Sequence, residues 1–197
     1  MKNLLNLSLL ILLIQFVWAY PTGSRAKIVN RGKSSFYHDS VALFSPTPLE
    51  KSRIGGPKDL PVLALYFFSK KLSLDEKRAF GAAISANRHG TGNEYPYGIL
   101  ELGLDPRKPF GPEGILVFNM GSCSGESSYG VGGAMLTYPD HRAQWKMNFN
   151  ALEGEIKDGG NLHYDIRLEN IATHYSGEFS GNAPVLIVAK SKYELFP

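Results

Sequence analysis

The alternation of apolar and polar positions is clearest at Leu162-His163-Tyr164-Asp165-Ile166-Arg167-Leu168-Glu169, where every second side chain is apolar and the intervening four are polar. A period of two is that of a strand with one buried face. Just before it, Asp158-Gly159-Gly160-Asn161 contains glycines that tolerate positive φ and suit a hairpin turn. Upstream, Trp145, Met147 and Phe149 alternate with Gln144, Lys146 and Asn148, which predicts a partner strand. Downstream, the alternation resumes from Tyr175 to Phe179, and Gly181-Asn182-Ala183-Pro184 predicts a turn before a short apolar strand from Val185 to Ala189. The C-terminal half therefore reads as an antiparallel meander.

The remainder follows a looser pattern. Pro61 to Leu72, with the run Val62 to Phe68 inside it, is apolar on both faces and fits a central strand. Tyr97 to Leu104 puts Leu100, Leu102 and Leu104 on one face, and residues 114–120 and 129–138 read as strands around glycine-rich turns. Gly130-Val131-Gly132-Gly133 within the last of these predicts a bulge, a sharp bend or a close backbone approach. Ser73-Leu74-Asp75-Glu76 matches a capping box and starts one helix, which Ala79 to Ala86 either extends or leaves for a strand. Residues 45–61, rich in Pro, Gly and Lys, predict an extended surface loop. About nine or ten short strands must close or stack to bury their apolar faces, so the expected fold is all-β with one short helix, an antiparallel β-sandwich or β-barrel.

The first 19 residues stand apart from this pattern. Lys2 precedes an apolar run from Leu4 to Trp18, broken only by Asn6, Ser8 and Gln15 and ending in Val17-Trp18-Ala19. The run is short for a membrane span, and Tyr20-Pro21-Thr22-Gly23 cannot continue a helix, so residues 1–19 read as a signal peptide cleaved after Ala19. Tyr20 stands where a lipoprotein needs its cysteine, and no later segment is apolar enough to span a bilayer. The only cysteine is Cys123, so the chain has no intramolecular disulfide, and the one Asn-x-Ser/Thr sequon lies at Asn6 inside the leader. Together these predict a soluble secreted or periplasmic protein, more in keeping with a bacterial envelope than with an animal secretion.

About 180 residues remain, enough for a single domain over 20–197. A composition 43% hydrophobic and 20% charged is globular. The net charge of +3 is small but uneven: residues 20–72 carry nine basic and three acidic side chains. Residues 20–34, with Arg25, Lys27, Arg31 and Lys33, read as a basic N-terminal arm, either solvated or attractive to an acidic partner. No nucleic-acid-binding pattern accompanies it.

Gly121-Ser122-Cys123-Ser124-Gly125 has the spacing of a nucleophile elbow with cysteine at its centre. Such a thiol would need a histidine base, His141 or His38, with Asp140 or Asp39 to orient it. The residues that follow read as turn and strand, whereas an elbow needs a helix. The five histidines lack metal-site spacing, so no metal and no cofactor is expected. Arg88 and His89 sit in a glycine-rich loop whose amides suit an anion, and the aromatics Tyr95, Tyr97, Phe110, Phe118, Tyr129, Tyr138 and Trp145 would line an apolar pocket in a barrel or form the core of a sandwich.

These features favour a binding protein for a small apolar ligand or for a protein or surface partner. A cysteine-dependent hydrolase using Cys123 and His141, and an envelope structural protein or inhibitor, are the alternatives. The signal-peptide assignment predicts that the chain recovered outside the cytoplasm begins at Tyr20. N-terminal sequencing of that fraction checks it, and an exported soluble chain that retains Met1 contradicts it.

Overall fold

Short turns and alternating burial build ten strands and one helix into a curled mixed sheet that forms a half-barrel. The structure, a computed structural model, describes residues 23–46, 60–85, 96–123, 128–135 and 144–188. The strands are β1 (Arg25–Asn30), β2 (Lys33–Tyr37), β3 (Asp39–Ser45), β4 (Val62–Phe68), β5 (Tyr97–Leu104), β6 (Ile115–Cys123), β7 (Ser128–Met135), β8 (Trp145–Gly154), β9 (Asn161–Asn170) and β10 (Ser176–Ile187). The helix α1 (Leu74–Ser85) lies between β4 and β5. The all-β class with one short helix is thus as expected. Most of the loop expected at 45–61 lies outside the described residues.

One half of the sheet runs β2-β1-β10-β9-β8 and the other β10-β3-β4-β5-β6-β7. Every pairing is antiparallel except that of β10 with β3, which is parallel. β10 therefore belongs to both halves. The segment 181–184, expected as a turn, is instead continuous strand. Gly181 has φ +132° and pairs with Tyr164, and Pro184 pairs with Asn161. Val185 N–H donates to Gly160 O at 2.9 Å on the β9 side, so Pro184, one residue earlier, turns its missing donor to the other edge. Among the described residues no strand pairs along that edge there, because β1 pairs only through Ser180 and β3 only from Val185. The residues that commonly make turns here pass one strand from sheet to sheet.

The basic segment expected as an N-terminal arm is, from Arg25 onward, a paired hairpin. Arg31 and Gly32 adopt φ of 46° and 81°, the two positive values of a tight two-residue turn matched to strand twist. Ile28 and Tyr37 of this hairpin are core residues. Its positive charge is also less isolated in space than in sequence. The register places Phe36, Lys27, Glu178, Arg167 and Asn148 in one row across five strands, so Lys27 is flanked by an acid and a ring. The Lys27 ammonium lies 5.9 Å from the Phe36 ring centre.

Two layers bury the apolar side chains. Inside the curl, Phe67 stacks on Phe179 with ring centres 5.1 Å apart and meets Tyr164 edge-on at 6.0 Å, while Phe118 meets Trp145 at 5.1 Å. With Leu65, Leu100, Met120, Leu162 and Ile166 these rings pack the interior with side chains. Outside, α1 covers β3, β4 and β5 through Phe80 and Ile84, and the Phe80 ring lies 5.0 Å from both Tyr66 and Phe68. Central β4 is buried on both faces, which is why its sequence lacks alternation.

The capping box is reciprocal. Glu76 N–H donates to Ser73 Oγ at 3.2 Å and Ser73 N–H to Glu76 Oε2 at 2.7 Å. It resolves the ambiguity over Ala79 to Ile84 in favour of helix. Lys77, buried beneath the first turn, pairs with Asp39 at 2.7 Å, and the second Asp39 oxygen accepts from Leu72 N–H at 2.7 Å. The bulge expected among the β7 glycines is present. Phe118 pairs with Ala134 and Met120 with Val131, so Gly132 and Gly133 oppose Asn119 alone.

Where β10 changes partners, a Cβ on Gly181 would sit 2.6 Å from Ser24 Cα and 2.7 Å from Gly23 O. Backbone cannot yield as a flexible side chain does. Gly181→Ala is therefore expected to lower unfolding free energy by about 2 kcal/mol or more, read as a lower denaturation midpoint at unchanged slope. A shift under about 0.5 kcal/mol contradicts the close approach.

Candidate functional site

With the interior filled, an apolar opening is found where the strands end. Phe44 and Leu104 stand at the ends of β3 and β5, where the core pattern runs out and each is only half-buried. Ile156 comes from the β8–β9 hairpin of the opposite half, and Phe110 from the β5–β6 loop. Between them is a cleft of about 170 Å³, also lined by Pro61, Pro106 and Pro109. Prolines bring no N–H to satisfy, which suits a dry wall.

The β5–β6 loop is fixed by its own backbone. Asp105 N–H donates to Gly114 O at 2.7 Å, Gly114 N–H to Gly111 O at 3.0 Å, and Leu104 N–H to Pro61 O at 2.9 Å. The Asp105 carboxylate accepts from Arg107 N–H at 3.0 Å, Nε at 2.9 Å and Nη2 at 3.0 Å. These bonds hold the Asp105 carboxyl down at about 2, so it stays ionised and committed to Arg107. Lys108, which also lines the cleft, is held differently. Its ammonium donates to Glu113 O at 3.2 Å.

The residues singled out from sequence do not converge on this cleft. Tyr97 is buried in the sheet–helix layer, 5.4 Å from both Tyr66 and Phe80, so its ring is core. Tyr129 lies on β7 opposite Ser122. Arg88, His89, Tyr95, Asp140 and His141 lie outside the described residues. Cys123 ends β6, in register with Tyr97 on β5 and Ser128 on β7. The strand-to-helix context of a nucleophile elbow is not what surrounds it, since β6 pairs with an antiparallel strand. His38 is exposed at the β2–β3 junction, and Asp39, weighed as its orienting acid, is engaged by Lys77 and Leu72 N–H. Among the described residues no group of three or more His, Cys, Asp or Glu is placed to hold a metal ion.

Two features escaped the sequence reading. The first is the cleft, which joins Leu104, read only as one residue of a strand face, to apolar residues from a proline-rich loop and from two distant segments. The other is Glu101, an acid at an otherwise apolar position of β5. It shares its sheet face with Tyr97 and Ile99, is 3% exposed, and accepts from Asn119 Nδ2 at 3.3 Å opposite the β7 bulge. The signal was present: Tyr97, Ile99 and Glu101 alternate on one face of a strand whose other face is also apolar.

Burial pushes the Glu101 carboxyl up to about 8, with the Asn119 hydrogen bond opposing. The folded protein thus binds a proton that the unfolded chain releases near the ordinary carboxylate range. Stability from this group is complete below that range and falls as pH rises toward about 8. Glu101→Gln keeps a neutral hydrogen-bonding group, so it is expected to raise stability at pH 8 by about 2–4 kcal/mol and change it little at pH 4. Chemical denaturation at both pH values checks this, and equal effects at the two contradict a protonated Glu101.

Compared with known protein families, curated proteins and solved structures, the chain matches none of them.

Proposed function

We propose that this is an exported binding protein that takes a small apolar group in the mouth of its half-barrel. The observation that carries the reading is the cleft of about 170 Å³ walled by Phe44, Leu104, Phe110 and Ile156 at the end of a filled core. Mouths of β-barrels are recurrent ligand sites, because strand ends leave apolar side chains without a covering layer. A dry cavity of about 150 Å³ lined by aliphatic and aromatic side chains is enough to bind benzene. The leader-like residues 1–19 support export, and among the described residues no helix is long and apolar enough to cross a membrane.

A filled interior makes a large lipid or a fused-ring ligand a poor fit. The cleft instead admits a single ring or a short branched chain. Titrating toluene into the 15N-labelled chain beginning at Tyr20 tests this. Saturable amide shifts are expected from Leu104 to Gly114 and at Ile156, with a dissociation constant of about 1 mM or tighter, and Ile156→Trp is expected to abolish them by filling the space. Shifts that never saturate, or that fall elsewhere, overturn the proposal.

A further inference from the structure

Charges around the cleft are mostly matched. Asp105 is forked by Arg107, and on the opposite lip Lys157 pairs with Glu155 at 2.6 Å, one residue either side of Ile156. Asp158, next along that hairpin, accepts from Ile187 N–H at 3.2 Å. Lys108 differs. It is a basic residue of the cleft lining, and among the described residues no carboxylate lies within ion-pair distance of its ammonium, although its charge helps hold Asp105 ionised. The Glu113 carbonyl takes one of its three donors, and the Glu113 side chain does not line the cleft.

Building on the binding reading above, we propose that the mouth recognises a small carboxylic acid. A single ring or a six-carbon chain would sit against Phe44, Leu104, Phe110 and Ile156, with its carboxylate on the Lys108 ammonium. The complementarity is of two kinds at one place: a dry wall sized for about six heavy atoms, and a lysine in its lining whose ammonium keeps two donors beyond the one given to the Glu113 carbonyl. The neighbouring anion, Asp105, does not oppose the ligand strongly, because its oxygens face the Arg107 fork and backbone. A charge-assisted hydrogen bond to an ionised ligand is stronger than one to a neutral amide of the same shape.

The test compares 3-phenylpropionate with 3-phenylpropanamide, each titrated calorimetrically into the chain beginning at Tyr20 at pH 7. The acid is expected to bind at least about tenfold tighter than the amide, with the margin shrinking as salt is added. Lys108→Met is expected to erase that margin, and Lys157→Met, which removes an already paired cation, is expected to preserve it. If acid and amide bind equally to the unaltered protein, the carboxylate assignment is overturned and the apolar mouth stands. If neither binds, and toluene does not either, both fail. A margin that survives Lys108→Met also overturns the assignment, because the discriminating charge then lies elsewhere.

Discussion

The fold depends on one strand being shared by two sheet halves. On one edge of β10, β1 ends its pairing at Ser180 and β3 takes over at Val185, so the carbonyl of Asn182 has no ladder partner on that side. A buried carbonyl without a donor costs about 1–3 kcal/mol, and a side chain meets the need. Ser24 Oγ donates to Asn182 O at 2.6 Å, and Ser40 Oγ lies 2.6 Å from Ser24 Oγ and 2.9 Å from the Tyr164 hydroxyl. Burial pushes Tyr164 up to about 12, which keeps its hydroxyl protonated. Ser24, Ser40 and Tyr164 come from the entry to β1, from β3 and from β9, so the hydroxyl chain joins both halves at the seam.

The same strand positions the mouth. Beyond the seam, Gly159 N–H donates to Val185 O and Val185 N–H to Gly160 O, each at 2.9 Å, which docks the β8–β9 hairpin carrying Ile156. Three residues on, Val188 N–H donates to Phe44 O at 3.0 Å. The last residues of β10 and the one after it thus hold two facing walls of the cleft, one from each half. The distance between Phe44 and Ile156 is set by backbone hydrogen bonds, which makes the opening a property of the scaffold and not of loop conformation.

Much of this was legible in the sequence, and the parts that were not share a cause. Period-two alternation located β8 and β9 because each has one wet face, and the capping box located α1 because its signal is local. The Gly132-Gly133 bulge was likewise readable from residue type. The 181–184 segment was misread because glycine, asparagine and proline report that a backbone departs from the ordinary ladder, without reporting whether it turns or changes partners. The cleft was invisible for a related reason. Phe44, the Leu104–Phe110 segment and Ile156 lie far apart in the chain and mean nothing together until β10 joins the halves. Sequence patterns encode faces of elements, whereas this site is made of their ends.

The location of the cleft also follows from how the chain must be stabilised. With one cysteine, no disulfide within the chain constrains the unfolded state, so burial has to supply the stability that small exported domains often take from cross-links. Phe67, Phe118, Trp145, Tyr164 and Phe179 meet ring to ring across the interior, and hollowing it to make a pocket would remove those contacts at a cost of about 3–5 kcal/mol for each ring deleted. Space is cheap only where the layers end. There the core side chains are already half-exposed, and a ligand that covers them adds burial without subtracting any. The core and the cleft therefore draw on different parts of the same strands, the rings at their middles closing the interior and the apolar residues at their tips left half-exposed.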